Sequence, residues 1–81
     1  MAPVDLLVEH VRAARALLKW TQEELASRAG VAVATVSFWE TERVKPSEET
    51  KLLVLQAFEQ AGIEFYNGGQ PGVRLMRNRE T

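Results

Sequence analysis

Read for the period of its apolar positions, the chain is helical over most of its length. Leu7, Val11, Ala14 and Leu18 fall at the i, i+4, i+7, i+11 spacing of one amphipathic face. That stripe predicts a first helix over residues 4 to 19, with Pro3 fitting its start. Thr21, Gln22, Glu23 and Glu24 read as a capping box: the Thr21 hydroxyl accepts from the amide of Glu24, and the Glu24 carboxylate reaches back to the amide of Thr21. A second helix therefore starts at Gln22, buries Leu25, Ala26 and Ala29, and stops at Gly30, the residue for which positive φ costs least. A third is predicted over residues 33 to 41, with Val36 and Trp39 turned inward. Its cap, Ala32, has no side-chain acceptor, so its start is weakly specified. Ser47 caps a fourth helix over residues 48 to 61, Glu48 and Glu49 sit favourably against its positive end, and Gly62 closes it.

Beyond Gly62 the pattern changes. "IEFY" and "VRLM" are rich in β-branched and aromatic residues on either side of the turn-forming "NGGQPG". They predict short strands over residues 63 to 66 and 73 to 76, paired as a hairpin or as edges that meet another chain. The final "RNRET" reads as a frayed end. The fourth helix carries more apolar surface than one face needs. Val54, Ala57, Phe58 and Ala61 make an inward stripe, while Leu52 falls nearly opposite it and Leu53 and Leu55 on its flanks. Either the C-terminal segment folds back over these leucines or a second copy covers them. In the second case Leu52, Leu55, Ile63, Phe65, Val73 and Leu75 form a dimer interface, of roughly 1,200 to 2,000 Å² if it is stable, which also protects the strand edges. The expected fold is mainly all-α, four helices with a short C-terminal β segment. Its domain spans residues 1–66, and residues 67–81 supply a turn, strand and tail able to act as a dimerisation element.

Composition narrows the chemistry. Eighty-one residues, 46% hydrophobic and 26% charged, suit one modest core and leave no room for a large enclosed cleft. Without cysteine there is no disulfide framework and no thiolate metal site, and the lone His10 lacks ligand partners at metal spacing. No nucleophile lies beside a base, and Gly68, Gly69 and Gly72 belong to a turn rather than a phosphate-cradling loop. Neither an enzyme nor a cofactor or metal is expected. No apolar run reaches membrane-spanning length, and "MAPVDLLVEH" lacks the positive region of a secretory signal, so the expected location is cytoplasmic and away from membranes. Ten Lys and Arg against eleven Asp and Glu give a net charge of -1, so any affinity for nucleic acid must come from local placement of charge.

Several motifs then stand at consistent mutual spacing: "TQEELA", an eight-residue step from Gln22 to Gly30, "WE" at the close of the third helix, "KPSEET" and "AGIEF". With them, residues 12 to 65 resemble the phage-repressor and Cro-like family of helix-turn-helix proteins, also called XRE-like. The resemblance implies a compact bundle whose second and third helices form the DNA-binding unit. It also implies a sequence-specific transcriptional regulator, a dimeric repressor on a pseudo-palindromic double-stranded operator. It further implies that Gln22 touches the DNA backbone and braces the reading helix, and that Arg43 and Lys45 approach phosphates. Arg15 and Glu40 would form an ion pair between the first and third helices, and Trp20 and Trp39 would be core residues. Independently of family, the positive helix end at Thr21 and Gln22 is suited to a phosphate oxygen.

The positions that match the family's base-reading residues are Val33, Ala34 and Phe38, with Thr35 and Ser37 between them. The three apolar residues cannot make the bidentate contacts that Arg, Gln or Asn make to purines. Two readings follow. In one, the helix packs on thymine methyl groups while Thr35 and Ser37 donate to phosphates or base edges, and DNA shape supplies much of the specificity. In the other, the helix has been turned over to protein recognition, as in an antitoxin or a transcription-factor antagonist, with a regulatory protein as partner. Glu42, at a helix end where related sequences often have Gly, would repel phosphate.

Overall fold

The computed structural model describes residues 6–66 and 72–76. The expected first residues of the first helix, Pro3, the "NGGQP" part of the turn and the "RNRET" tail lie outside the described residues. Among the described residues, four helices precede two strands: α1 (Val8–Leu18), α2 (Gln22–Ala29), α3 (Val33–Glu40), α4 (Glu48–Gln60), β1 (Ile63–Tyr66) and β2 (Gly72–Leu75).

Helix α1 begins later than the apolar spacing predicts. Leu7 is extended, with φ -93 and ψ 162, and stands as the N-cap. Its amide donates to Nδ1 of His10 at 3.0 Å, so His10 performs the carboxylate's half of a capping box. Because Leu7 precedes the helix, helical spacing does not govern it. It remains exposed, while Leu6, His10, Val11 and Ala14 are buried. With Nδ1 accepting, the ring proton sits on Nε2, which donates to the Tyr66 carbonyl at 3.3 Å. The ring also stands edge-on to Phe65 with centroids 5.4 Å apart. His10 thus ties the head of α1 to the end of β1.

Local signals account for the next two helix starts that carry a side-chain cap. The Thr21 hydroxyl accepts from the Glu24 amide at 3.0 Å, and the Ser47 hydroxyl from the Thr50 amide at 3.1 Å. The expected return arm of the Thr21 capping box gives way to another partner, since the Glu24 carboxylate pairs with Arg28 one turn on, at 2.7 Å. Helix α3 starts from Ala32 with no side-chain cap and ends at Glu40, with Thr41 as its C-cap.

Strands β1 and β2 pair antiparallel in the register Ile63↔Leu75, Glu64↔Arg74, Phe65↔Val73 and Tyr66↔Gly72. Ile63 and Phe65 face the core while Glu64 and Tyr66 face out, and the opposed charges of Glu64 and Arg74 meet at 2.6 Å. The hairpin packs on α1 and α4, so it closes the core of its own chain. This corrects the expected dimer surface: Leu55, Ile63 and Phe65 are only 6%, 3% and 9% exposed within the single chain. Val11, Ala14, Leu25, Val36, Val54 and Phe58 fill the centre with Trp39 beside them, and half-buried Trp20 stacks on Phe58 at 5.7 Å.

Two glycines hold positive φ for different reasons. Gly30 (φ 76) closes α2 in open space, whereas a Cβ on Gly62 (φ 98) would stand 3.0 Å from the Met76 carbonyl. That strand end is held by the Met76 amide donating to the Gly62 carbonyl at 2.6 Å. Gly30→Ala should therefore cost about 1 kcal/mol of torsional strain, and Gly62→Ala distinctly more because a clash adds to the same strain. Urea denaturation midpoints of the two variants check the order.

Candidate nucleic-acid interface

The centre of the site is a carboxylate. Glu40, the last residue of α3, has a side chain only 4% exposed, and donors from two other helices surround it. From α1, Arg15 donates through Nε to Oε2 at 2.7 Å and through Nη2 to Oε1 at 2.8 Å, a two-pronged pairing. From α2, Gln22 Nε2 donates to Oε1 at 3.1 Å. Arg12 adds a hydrogen bond to the Glu40 backbone carbonyl, and Arg15 Nη1 reaches the Trp20 carbonyl at 2.9 Å. The side chain of Gln22 is therefore committed inward, bracing α3 against the head of α2. Among the described residues no buried side-chain polar atom lacks a partner.

Burial on its own would push the Glu40 carboxyl up. The hydrogen bonds from Arg15 and Gln22, with the charges of Arg15 and Arg12, outweigh burial and hold it below the ordinary carboxylate range. The hydrogen bond to Glu40 raises Arg15 in return, against a smaller opposing effect of burial. A carboxyl lowered in the native state contributes stability above its unfolded value, and that contribution is lost as pH falls through the native value. Arg15→Ala would leave a buried carboxylate without its guanidinium and should destabilise by roughly 3 to 5 kcal/mol at neutral pH. Denaturation as a function of pH checks it. The gap between native protein and variant should narrow as the solution is acidified below the carboxylate range.

With Glu40 locked beneath, the first turn of α3 and the side turned from Val36 and Trp39 face solvent. Val33 and Phe38 are 41% and 43% exposed, Ala34 is exposed beside them, and Thr35 and Ser37 are half-buried. Thr21 is exposed at the head of α2, where the first-turn amides of a helix point outward. Arg43 and Lys45 are both exposed in the loop that follows α3. Val44, between them, is 57% exposed and lines a surface cleft with Leu6, Leu7, Trp39 and Pro46. The sequence reading passed over it because an isolated valine in a loop carries no periodic signal.

The end of α3 explains where Arg43 goes. The Arg43 amide donates to the Phe38 carbonyl and the Glu42 amide to the Trp39 carbonyl, both at 2.9 Å, with Glu42 left-handed at φ 59. This is a Schellman closure, in which the residue after the left-handed one packs on the last full turn. Here that contact is the Arg43 guanidinium over the Phe38 ring, 5.7 Å from its centroid. The helix end thereby carries a cation to the edge of the apolar face. Glu42 occupies a position that favours glycine, so Glu42→Gly should raise stability by about 1 kcal/mol, read as an upward shift of the thermal midpoint.

The arrangement of α2, a short turn at Gly30 and α3 is matched by a family model for helix-turn-helix proteins over residues 11–60, more than half of the chain. The chain belongs to the XRE-like helix-turn-helix family. No curated protein is similar enough to serve as a relative. Members of this family are DNA-binding regulators rather than typical enzymes. In this helix-turn-helix protein the matched region takes in most of α1 and all of α2, α3 and α4. The hairpin lies beyond it. Among the described residues no helix is long and apolar enough to cross a membrane. Of the six residues expected at a dimer interface, Leu52 stands clear at 47% exposed, Val73 and Leu75 are partly buried against the core, and Leu55, Ile63 and Phe65 are inside it.

Proposed function

We propose that the protein is a sequence-specific transcriptional regulator, a dimeric repressor that sets α3 in the major groove of an operator. One observation carries the reading: α3 is held rigidly from beneath by Glu40 while its outer face is open and flanked by Arg43 and Lys45. A helix entering a groove needs both properties, since phosphate contacts position it and base contacts specify. In this reading Arg43 and Lys45 take phosphates, and the amides at Thr21 and Gln22 take a phosphate at the positive end of α2. Val33, Ala34 and Phe38 face bases, with Thr35 and Ser37 at the rim. Exposed Leu52, with the outer parts of Val73 and Leu75, is the surface left for a second copy.

A second reading is favoured by Glu42, whose charge sits at the end of the reading helix, and by the apolar exposure of Val33 and Phe38. There the same face binds a protein, as an antitoxin or a transcription-factor antagonist does. Selection from random duplex DNA at two salt concentrations separates the two. The regulator enriches an inverted repeat with half-sites about one helical turn apart. Its affinity falls with salt, and Arg43→Ala or Lys45→Ala weakens binding to all sequences and lowers the salt slope by about one. No enrichment, together with stoichiometric recovery of a protein partner, would replace the regulator by the protein-binding module.

A further inference from the structure

We infer that the cleft beside the loop after α3 binds a small amphipathic zwitterion, an amino acid with an apolar side chain, through Lys45 and Glu42. The head of α1, the end of α3 with its following loop, and the start of α4 bound a surface cleft of about 490 Å³. That volume falls within the roughly 300 to 1,000 Å³ of small-molecule sites. Its floor is apolar: Leu6 and Trp39 line it while only 5% exposed, and Leu7 and Val44, 37% and 57% exposed, form walls. Such a surface suits a hydrocarbon or aromatic body, with the Trp39 indole available to a ring.

Charge around the cleft selects the polar end of the ligand. Glu42, Lys45, Glu48 and Lys51 all line it. Lys51 pairs with Glu48 at 2.9 Å, so those two charges offset each other. Among the described residues Glu42 and Lys45 enter no ion pair. One acid and one base therefore remain, three positions apart in the loop that carries Val44. A ligand with a carboxylate alone would meet Glu42, and one with an ammonium alone would meet Lys45. A molecule bearing both groups answers each, its carboxylate accepting from Lys45 and its ammonium donating to Glu42. Arg43 is not drawn in, because its guanidinium lies over the Phe38 ring. A consequence for nucleic acid follows, and it rests on the reading of Lys45 as a phosphate contact. Ligand and DNA then compete for one ammonium, and each weakens the binding of the other by the same factor.

The test titrates the full chain with L-phenylalanine and follows the Val44 methyl and Trp39 indole signals by NMR. Both should shift. Phenylpropanoate, which lacks the ammonium, and phenethylamine, which lacks the carboxylate, should each bind about two- to fivefold more weakly, the range for one exposed ion pair. Lys45→Ala should abolish the advantage of L-phenylalanine over phenethylamine, and Glu42→Gln its advantage over phenylpropanoate. No shift of Val44 and Trp39 up to the solubility limit of L-phenylalanine, or equal binding of the three compounds, would overturn the assignment. Shifts of the same signals on diluting the protein without ligand would give the cleft to a second copy and overturn it as well. On the duplex enriched by selection, saturating L-phenylalanine should lower the salt slope of the unaltered protein by about one and leave that of Lys45→Ala where it was. An undiminished slope would refute the competition for Lys45. A selection that enriches no duplex removes the regulator reading and the competition with it, while the titration still decides the cleft.

Discussion

A carboxylate taken almost wholly out of water stays charged only if donors surround it, and the Glu40 side chain, 4% exposed, obtains them from α1 and α2. The requirement works in both directions. Arg15 and Gln22 satisfy Glu40, and Glu40 in turn fixes where α1, α2 and the end of α3 stand relative to one another. A planar guanidinium pairing through two nitrogens tolerates little rotation, so the contact sets an orientation as well as a distance. Helix α3 has eight residues and no side-chain cap at its start, too short to hold its shape unaided. Its rigidity is borrowed from the packing of Val36 and Trp39 and from this polar cluster.

The cluster also settles an ambiguity that hydrophobic packing leaves open. Helix α3 carries apolar residues on both faces: Val36 and Trp39 on one, Ala34 and Phe38 on the other, with Val33 exposed in its first turn. Burial alone could seat either face with modest difference, because each buries similar hydrocarbon. A buried charge cannot be traded in the same way. Placing Glu40 on its donors turns Trp39 and Val36 into the core and leaves Ala34 and Phe38 open to solvent.

Charge on this protein is arranged locally. A net charge of -1 provides no general attraction for DNA. The compensating cations follow α3 immediately, and the backbone places one of them: the left-handed turn at Glu42 returns the chain so that Arg43 packs on Phe38. The glutamate at the turn opposes the torsional preference of that position and sets an acidic group beside Arg43. The exposed side of α3 thus carries apolar residues with charges of both signs at its end, which on the reading proposed above favours recognition by shape over long-range attraction.

Residue order alone specifies the parts of this protein that depend on near neighbours along the chain. The Thr21 and Ser47 caps and the stop at Gly30 were legible because their interactions span only a few positions, and the strand residues after Gly62 because β-branched and aromatic residues flank turn-forming ones there. Legibility ended where contacts span the chain. The start of α1 depends on His10, which also meets Tyr66, 56 residues away. The Arg15 to Glu40 pair spans 25 residues and was reached through family resemblance, since no periodicity relates the two positions. Tertiary structure alone decided that Leu55, Ile63 and Phe65 belong to the interior of one chain. Alternation marks a strand as having an apolar side without naming what covers it, and the cover came from the hairpin folding back on α1 and α4.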